Sequence, residues 1–226
     1  MSKLIRIYGG LFLLVAGLGT TILPAQTTTN AIMVSRWESE ISAFEASDKT
    51  NAPPKGAILF VGSSSIRKWT TLAQDFPGKQ VINRGFGGSE IADSTALADR
   101  IIFPYAPRMI VFYAGDNDLA AGKSPERVFA DFQAFLKKIH DRLPKTRVAY
   151  ISIKPCPLRW RLKDKVVEVN QKIAALKDDK LIFIDVYPAM LGADGKPKPE
   201  LFLADGLHPS AKCYQLWAHL INPHLE

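Results

Sequence analysis

Five short apolar runs divide the chain, at residues 57–61, 80–83, 109–114, 147–153 and 181–186. The first, Ala57-Ile58-Leu59-Phe60-Val61, shows no polar alternation. A strand with one wet face alternates apolar and polar side chains, whereas a strand covered on both faces reads as a continuous apolar stretch. These runs therefore predict buried strands. Between them, apolar residues recur at helical spacing over 91–102, 125–143, 162–176 and 211–221. Pro125 after Ser124 marks a first helical turn, and Pro144 marks a stop after the basic residues His140 and Arg142. Ile32, Trp37, Ile41 and Phe44 predict an opening amphipathic helix over 31–44, ended by Pro53-Pro54-Lys55-Gly56. Buried strands alternating with helices predict the α/β class, with a parallel sheet covered on both sides by right-handed crossovers. No repeat or linker interrupts the pattern. One domain over 57–226 is expected, preceded by a leader and N-terminal helix over 26–56.

The first 25 residues follow a different logic. Lys3 and Arg6 precede an apolar stretch from Ile7 to Leu23, and Leu23-Pro24-Ala25 places a small residue before the polar run Gln26 to Asn30. That order of charge, apolar stretch and small residue predicts a secretory signal peptide over 1–25. The alternative is an uncleaved N-terminal anchor, because a membrane-spanning helix needs about 20 apolar residues. Either way the expectation is an exported chain, periplasmic or secreted.

Composition narrows the class. Of 226 residues, 47% are hydrophobic and 23% charged, which excludes disorder or coiled coil as the main state. The net charge is +7, yet the basic residues are scattered and accompany no nucleic-acid-binding motif, so no nucleic-acid partner is expected. The two cysteines, Cys156 and Cys213, fit a disulfide or two separate buried thiols equally well.

In a doubly wound sheet, chemistry gathers at the carboxyl ends of the strands, and four blocks sit there. Gly62-Ser63-Ser64-Ser65-Ile66 follows the first run. A serine at this helix start either caps the helix or stands beside unpaired N–H groups able to hold an oxyanion. Asn83-Arg84-Gly85-Phe86-Gly87-Gly88-Ser89 follows the second run, and its glycines permit a sharp turn or a close approach to a ligand. Gly115-Asp116-Asn117-Asp118 follows the third run, as a turn or as the source of a neutral amide donor. Asp205-Gly206-Leu207-His208-Pro209 follows the last run. A carboxylate three residues before a histidine can accept one ring N–H and leave the other nitrogen free to take a proton. His140, His219 and His224 lie in or beside helices and suit this role less well. Jointly the blocks supply a nucleophile, a base, an orienting carboxylate and oxyanion donors along one sheet edge, a set that unrelated turns would not assemble. Arg67, Trp69, Phe86, Arg159 and Trp160 fall near the same edge and are readable as rim, as core or as solvated residues.

From about Ile58 to His208, these blocks resemble in order and spacing the SGNH hydrolase superfamily, the GDSL-type esterases. The resemblance implies a three-layer α/β/α fold with a flavodoxin-like five-stranded parallel sheet. It also implies Ser64 as nucleophile, Asp205 and His208 as its partners, and Ser64, Gly88 and Asn117 as oxyanion donors. Gly62-Ser63-Ser64 stands where Gly-Asp-Ser is usual, similar to a subset with G-S-S-S, which leaves Ser63 and then Ser65 as alternative nucleophiles. No cofactor and no metal are implied. The expected activity is hydrolysis of carboxylic esters, with short acyl groups such as acetyl favoured by the short connections. The expected partner is a small-molecule ester or acylated sugar, with no stable membrane partner after signal cleavage. Two alternatives share the scaffold: an acyltransferase using the same acyl-enzyme, and a non-catalytic carbohydrate-binding protein.

Overall fold

The structure is a computed structural model that describes the backbone of residues 25–225 and the side chains of residues 36–225. The expected export segment, apart from Ala25, lies outside the described residues. The chain opens with a long helix, α1 (Ala25–Thr50). Then come β1 (Ile58–Gly62), the short helices α2 (Ser64–Arg67) and α3 (Leu72–Asp75), and β2 (Val81–Gly85). Next are α4 (Ile91–Ala96), α5 (Ala98–Ile101), β3 (Met109–Tyr113), α6 (Asp116–Ala120), α7 (Pro125–Arg142) and β4 (Arg147–Ile151). A 3-10 segment (Pro157–Leu162) leads into α8 (Lys163–Ala174), and β5 (Leu181–Ile184) and α9 (Ala211–Ile221) complete the fold. Among the described residues, no helix is long and apolar enough to cross a membrane.

All five strands are parallel, in the order β2-β1-β3-β4-β5. Each apolar run forms a strand because its side chains divide between two cores. Leu59, Val61, Ile110, Phe112, Val148 and Tyr150 pack into the layer made by α1, α4, α5, α7 and α8. Ile58, Phe60, Met109, Val111, Tyr113, Ala149 and Ile151 pack into the layer of α2, α3 and α9. The first layer is anchored by Phe112 stacked on Phe135 of α7, with ring centroids 4.1 Å apart. The second is anchored by Trp69 stacked on Tyr214 of α9, at 4.9 Å. The three-layer α/β/α architecture expected from the sequence is thus present.

Local sequence explains most boundaries. Ser124 caps α7 by accepting a hydrogen bond from the Arg127 N–H (3.3 Å), and Pro125 occupies the first turn. The expected helix over 91–102 is instead two short helices meeting at Leu97. Helix α1 is longer at both ends than its apolar spacing suggested. The run at 181–186 ends as a strand at Ile184, where the Ser152 N–H takes the Ile184 carbonyl.

Two carboxyls lie buried under this layer. Asp118 accepts from the Ile91 N–H and from Lys123 Nζ (2.9 Å), while Asp93 accepts the Glu90 N–H at 2.7 Å. Burial pushes both up to about 6. A carboxyl whose pKa is raised in the folded state stabilises that state below its unfolded pKa, and the contribution is lost as pH rises through about 6. Asp93→Asn removes this titration. The variant's melting temperature relative to the native chain should therefore be more favourable at pH 8 than at pH 4.5, by the equivalent of about 1–3 kcal/mol. Thermal melts at the two pH values check it, and an equal difference at both refutes it.

Gly62 closes β1 with φ +138°, and a Cβ there would lie 1.9 Å from the Tyr113 carbonyl oxygen. Gly62→Ala must either displace β3 or twist β1, at a cost of about 2–6 kcal/mol from overpacking and backbone strain. Denaturant unfolding should show that loss, and a change below ~1 kcal/mol would contradict it.

Candidate active site

Strand order brings the blocks together. Gly62 pairs in register with Gly85 of β2 and with Tyr113 of β3, so three strand ends meet on one edge. Just beyond, the Ser63 N–H donates to the Tyr113 carbonyl (3.0 Å) and the Phe86 N–H donates to the Gly62 carbonyl (2.9 Å). The chain then turns into α2, with Ser64 as its first residue. The three adjacent serines have different fates. Ser63 is buried, and among the described residues its hydroxyl has no hydrogen-bond partner. Ser65 is buried and accepts a hydrogen bond from Lys154 Nζ (3.2 Å). Ser64 is the serine whose Oγ meets an imidazole, 3.0 Å from His208 Nε2.

That imidazole comes from a tight loop after β5. The Gly206 N–H donates to the Leu203 carbonyl and the Leu203 N–H to the His208 carbonyl. Asp205 Oδ1 accepts the N–H groups of Leu207 and His208, both at 2.9 Å, while Oδ2 lies 2.6 Å from His208 Nδ1. The three-residue spacing works because one carboxylate organises both the turn and the ring. His208 and these amide donors hold the Asp205 carboxyl well below its usual range. With Nδ1–H donated to a carboxylate, the lone pair of Nε2 faces the serine hydroxyl, which is the arrangement of a general base.

The block after β2 is clamped from outside. Glu40 of α1 accepts the Gly87 N–H (3.1 Å), and the Trp37 indole N–H donates to the Gly87 carbonyl (2.8 Å). With both polar groups of Gly87 held, Gly88 takes φ +70°, a conformation that favours glycine. Asn83 reinforces the turn by donating to the Ile66 carbonyl (2.7 Å) and accepting the Gly85 N–H (2.9 Å). Asn117, in the first turn of α6, donates one Nδ2 hydrogen to the Ser89 carbonyl at 3.0 Å. Among the described residues, the N–H groups of Ser64 and Gly88 donate to no protein oxygen. These groups and the second Asn117 hydrogen are thus available as donors to a developing negative charge.

The rim readings separate. Trp69 and Phe86 are core, and Arg67 pairs with Glu40 at 2.9 Å. Lys163 lies over the Trp160 ring, and Arg159 reaches the site itself, donating to Asn117 Oδ1 at 2.9 Å. The sequence reading missed Trp37, Glu40 and Lys154. Periodicity placed Trp37 on a buried face, but nothing local to α1 signals an indole hydrogen bond to a residue 50 positions away. Cys156 and Cys213 are both free and buried. Among the described residues, no three His, Cys, Asp or Glu side chains form a group able to hold a metal ion.

Comparison with known proteins agrees with this architecture. No curated protein matches the chain. Among solved structures, a Streptococcus pneumonia protein superposes with TM-score 0.74 at 20% identity, covering 89% of this chain and 98% of that one. A GDSL-like lipase from Bacteroides thetaiotaomicron gives TM-score 0.67 at 22% identity, covering 84% and 96%. A carbohydrate esterase family 3 protein from Talaromyces cellulolyticus gives 0.59 at 18% identity, covering 74% and 95%. Such identities establish a shared fold. The sequence profile of the GDSL-like Lipase/Acylhydrolase family extends the likeness to sequence, matching residues 49–216. That match spans strands, serine block and histidine loop alike, and the chain belongs to the GDSL-like lipase/acylhydrolase family, the SGNH hydrolases, as a carboxylic ester hydrolase.

Proposed function

We propose that the chain hydrolyses small carboxylic esters through an acyl-enzyme on Ser64. The observation that carries this reading is the unbroken chain of contacts from Ser64 Oγ to His208 Nε2 (3.0 Å) and from His208 Nδ1 to Asp205 Oδ2 (2.6 Å). His208 removes the Ser64 proton as Oγ attacks the ester carbonyl, and Asp205 stabilises the imidazolium that forms. The tetrahedral oxyanion receives hydrogen bonds from the Ser64 and Gly88 N–H groups and from the Asn117 amide. Collapse of the intermediate breaks the bond to the alcohol oxygen, and His208 returns the proton to that leaving group. Water, deprotonated by His208, then attacks the acyl-enzyme, and as the acyl–oxygen bond breaks His208 returns that proton to Ser64 Oγ, releasing the acid.

We extend the proposal to short acyl groups. Connections over this edge are short: β1 passes to α2 through Ser63 alone, and β3 reaches α6 across Ala114 and Gly115. The two exposed large apolar side chains of the described residues, Leu158 (60% exposed) and Leu203 (46%), lie beside the histidine loop. The Leu158 N–H donates to the Gly206 carbonyl and the Leu203 N–H to the His208 carbonyl. In this reading, exposed apolar surface beside the histidine loop would serve a short acyl group.

Ser64→Ala and His208→Ala should each lower turnover of a chromogenic acetyl ester roughly 10⁴-fold or more. Ser64→Ala should also abolish labelling by a fluorophosphonate. Asn117→Ala should cost roughly 10²- to 10³-fold in kcat. Retention of native turnover by Ser64→Ala would overturn the reading. Across a panel from acetyl to octanoyl esters, kcat/KM should be highest for acetyl, and a maximum at octanoyl would refute the short-acyl assignment.

A further inference from the structure

An asparagine that serves as an oxyanion donor has an orientation problem. Its carboxamide is nearly symmetric in shape, and a flip about the last side-chain bond would present a carbonyl oxygen to the developing negative charge in place of an N–H. At Asn117 both ends of the amide are engaged. Nδ2 donates one hydrogen to the Ser89 carbonyl (3.0 Å), and Oδ1 accepts from Arg159 Nη2 (2.9 Å). A flipped amide would set oxygen against the Ser89 carbonyl and N–H against a guanidinium, which only donates. Among the described residues, the observed pairing thus leaves the second Nδ2 hydrogen as the side chain's uncommitted donor.

Arg159 is itself held in place. It sits in the 3-10 segment Pro157–Leu162, with non-helical backbone angles. That segment is tied to the histidine loop by the bond from the Leu158 N–H to the Gly206 carbonyl (3.0 Å). Arg159 Nη1 lies 3.3 Å from Asp116 Oδ2, and the same oxygen accepts from Lys154 Nζ at 2.9 Å. Lys154 is 1% exposed at its side chain and also reaches the Tyr113 hydroxyl (2.8 Å) and Ser65 Oγ (3.2 Å). Burial pushes the Asp116 carboxyl up, but Lys154 and Arg159 outweigh it and hold it below its usual value. Two cations thus share one carboxylate, which leaves an excess positive charge directly behind Asn117. A charged donor on Oδ1 polarises the amide and strengthens its remaining N–H as a donor.

We infer that Arg159, braced by Asp116 and Lys154, is a positioning residue that fixes and polarises the Asn117 carboxamide toward the oxyanion. The inference rests on the reading of Asn117 as an oxyanion donor, and its test separates the two. Kinetics on an acetyl ester are compared for Arg159→Gln and Arg159→Lys in the native and Asn117→Ala backgrounds, with thermal melts reporting folding. In the native background Arg159→Gln should lower kcat roughly 10- to 100-fold with KM within about twofold, as expected for a misaimed catalytic group. In the Asn117→Ala background the same substitution should cost less than about twofold, because the amide it positions is gone. Added guanidinium should restore part of the kcat of Arg159→Ala, and should do so only when Asn117 is present. Equal losses in both backgrounds would overturn the inference by assigning Arg159 a general structural role, and so would unchanged kcat in Arg159→Gln. If Arg159→Gln fails to fold, the guanidinium rescue and Arg159→Lys decide in the same way. An Asn117→Ala variant with native turnover would instead remove the oxyanion role of Asn117, and with it this inference, while the Ser64→Ala result still judges the esterase reading.

Discussion

The structure depends on the burial of β1 between β2 and β3. Its strand residues from Ile58 to Val61 have no solvent exposure, and its parallel register with both neighbours brings Gly62, Gly85 and Tyr113 level at one edge. Parallel strands need long crossovers, and those crossovers cover both faces of the sheet. The sheet order reverses beside β1, the position along a doubly wound sheet where functional loops gather. The serine turn, the glycine block and the asparagine turn stand at the carboxyl ends of β1, β2 and β3 there.

A second constraint is electrostatic. Two charged clusters near this edge are paired and largely withdrawn from water: Lys154 with Asp116 at 2.9 Å, and Lys123 with Asp118 and Asp131 at 2.9 and 2.8 Å. Replacing such buried pairs with packed apolar residues is often neutral or stabilising, so they are poor candidates for a purely energetic role. They do constrain geometry. The Lys123 cluster ties the start of α4 to α6 and α7 through Asp118 and Asp131. The Lys154 cluster ties the end of β4 to the residue after Ser64 and to the turn bearing Asn117.

Helix α1 belongs to the site as much as to the core. Trp37 and Ile41 bury their rings and methyl groups under the sheet, while Trp37 Nε1 and the Glu40 carboxylate hold the two polar groups of Gly87. One helical turn therefore supplies both apolar burial and the backbone satisfaction that a glycine-rich loop lacks. The N-terminal helix and the glycine block act as one unit.

The amino-acid sequence by itself determined the parallel α/β class, because strands covered on both sides must be continuously apolar and the runs at 57–61 and 109–114 are. It also determined the Asp205–His208 pairing, since three residues of tight turn suffice to bring carboxylate and ring together. Helix α7 was legible from Ser124 and Pro125 for the same reason: capping is local chemistry. The resemblance favoured Ser64 among three adjacent serines, but only the tertiary structure shows which of them meets the imidazole. Ser63, Ser64 and Ser65 are identical in type, and the choice rests on a contact across 144 positions. Tertiary structure alone decided that Trp37 and Glu40 clamp Gly87, and that Lys154 and Arg159 converge on Asp116 rather than on solvent. Periodicity records which side of an element is buried, but which atom a buried polar group finds depends on how distant segments pack, and that information resides only in the folded chain.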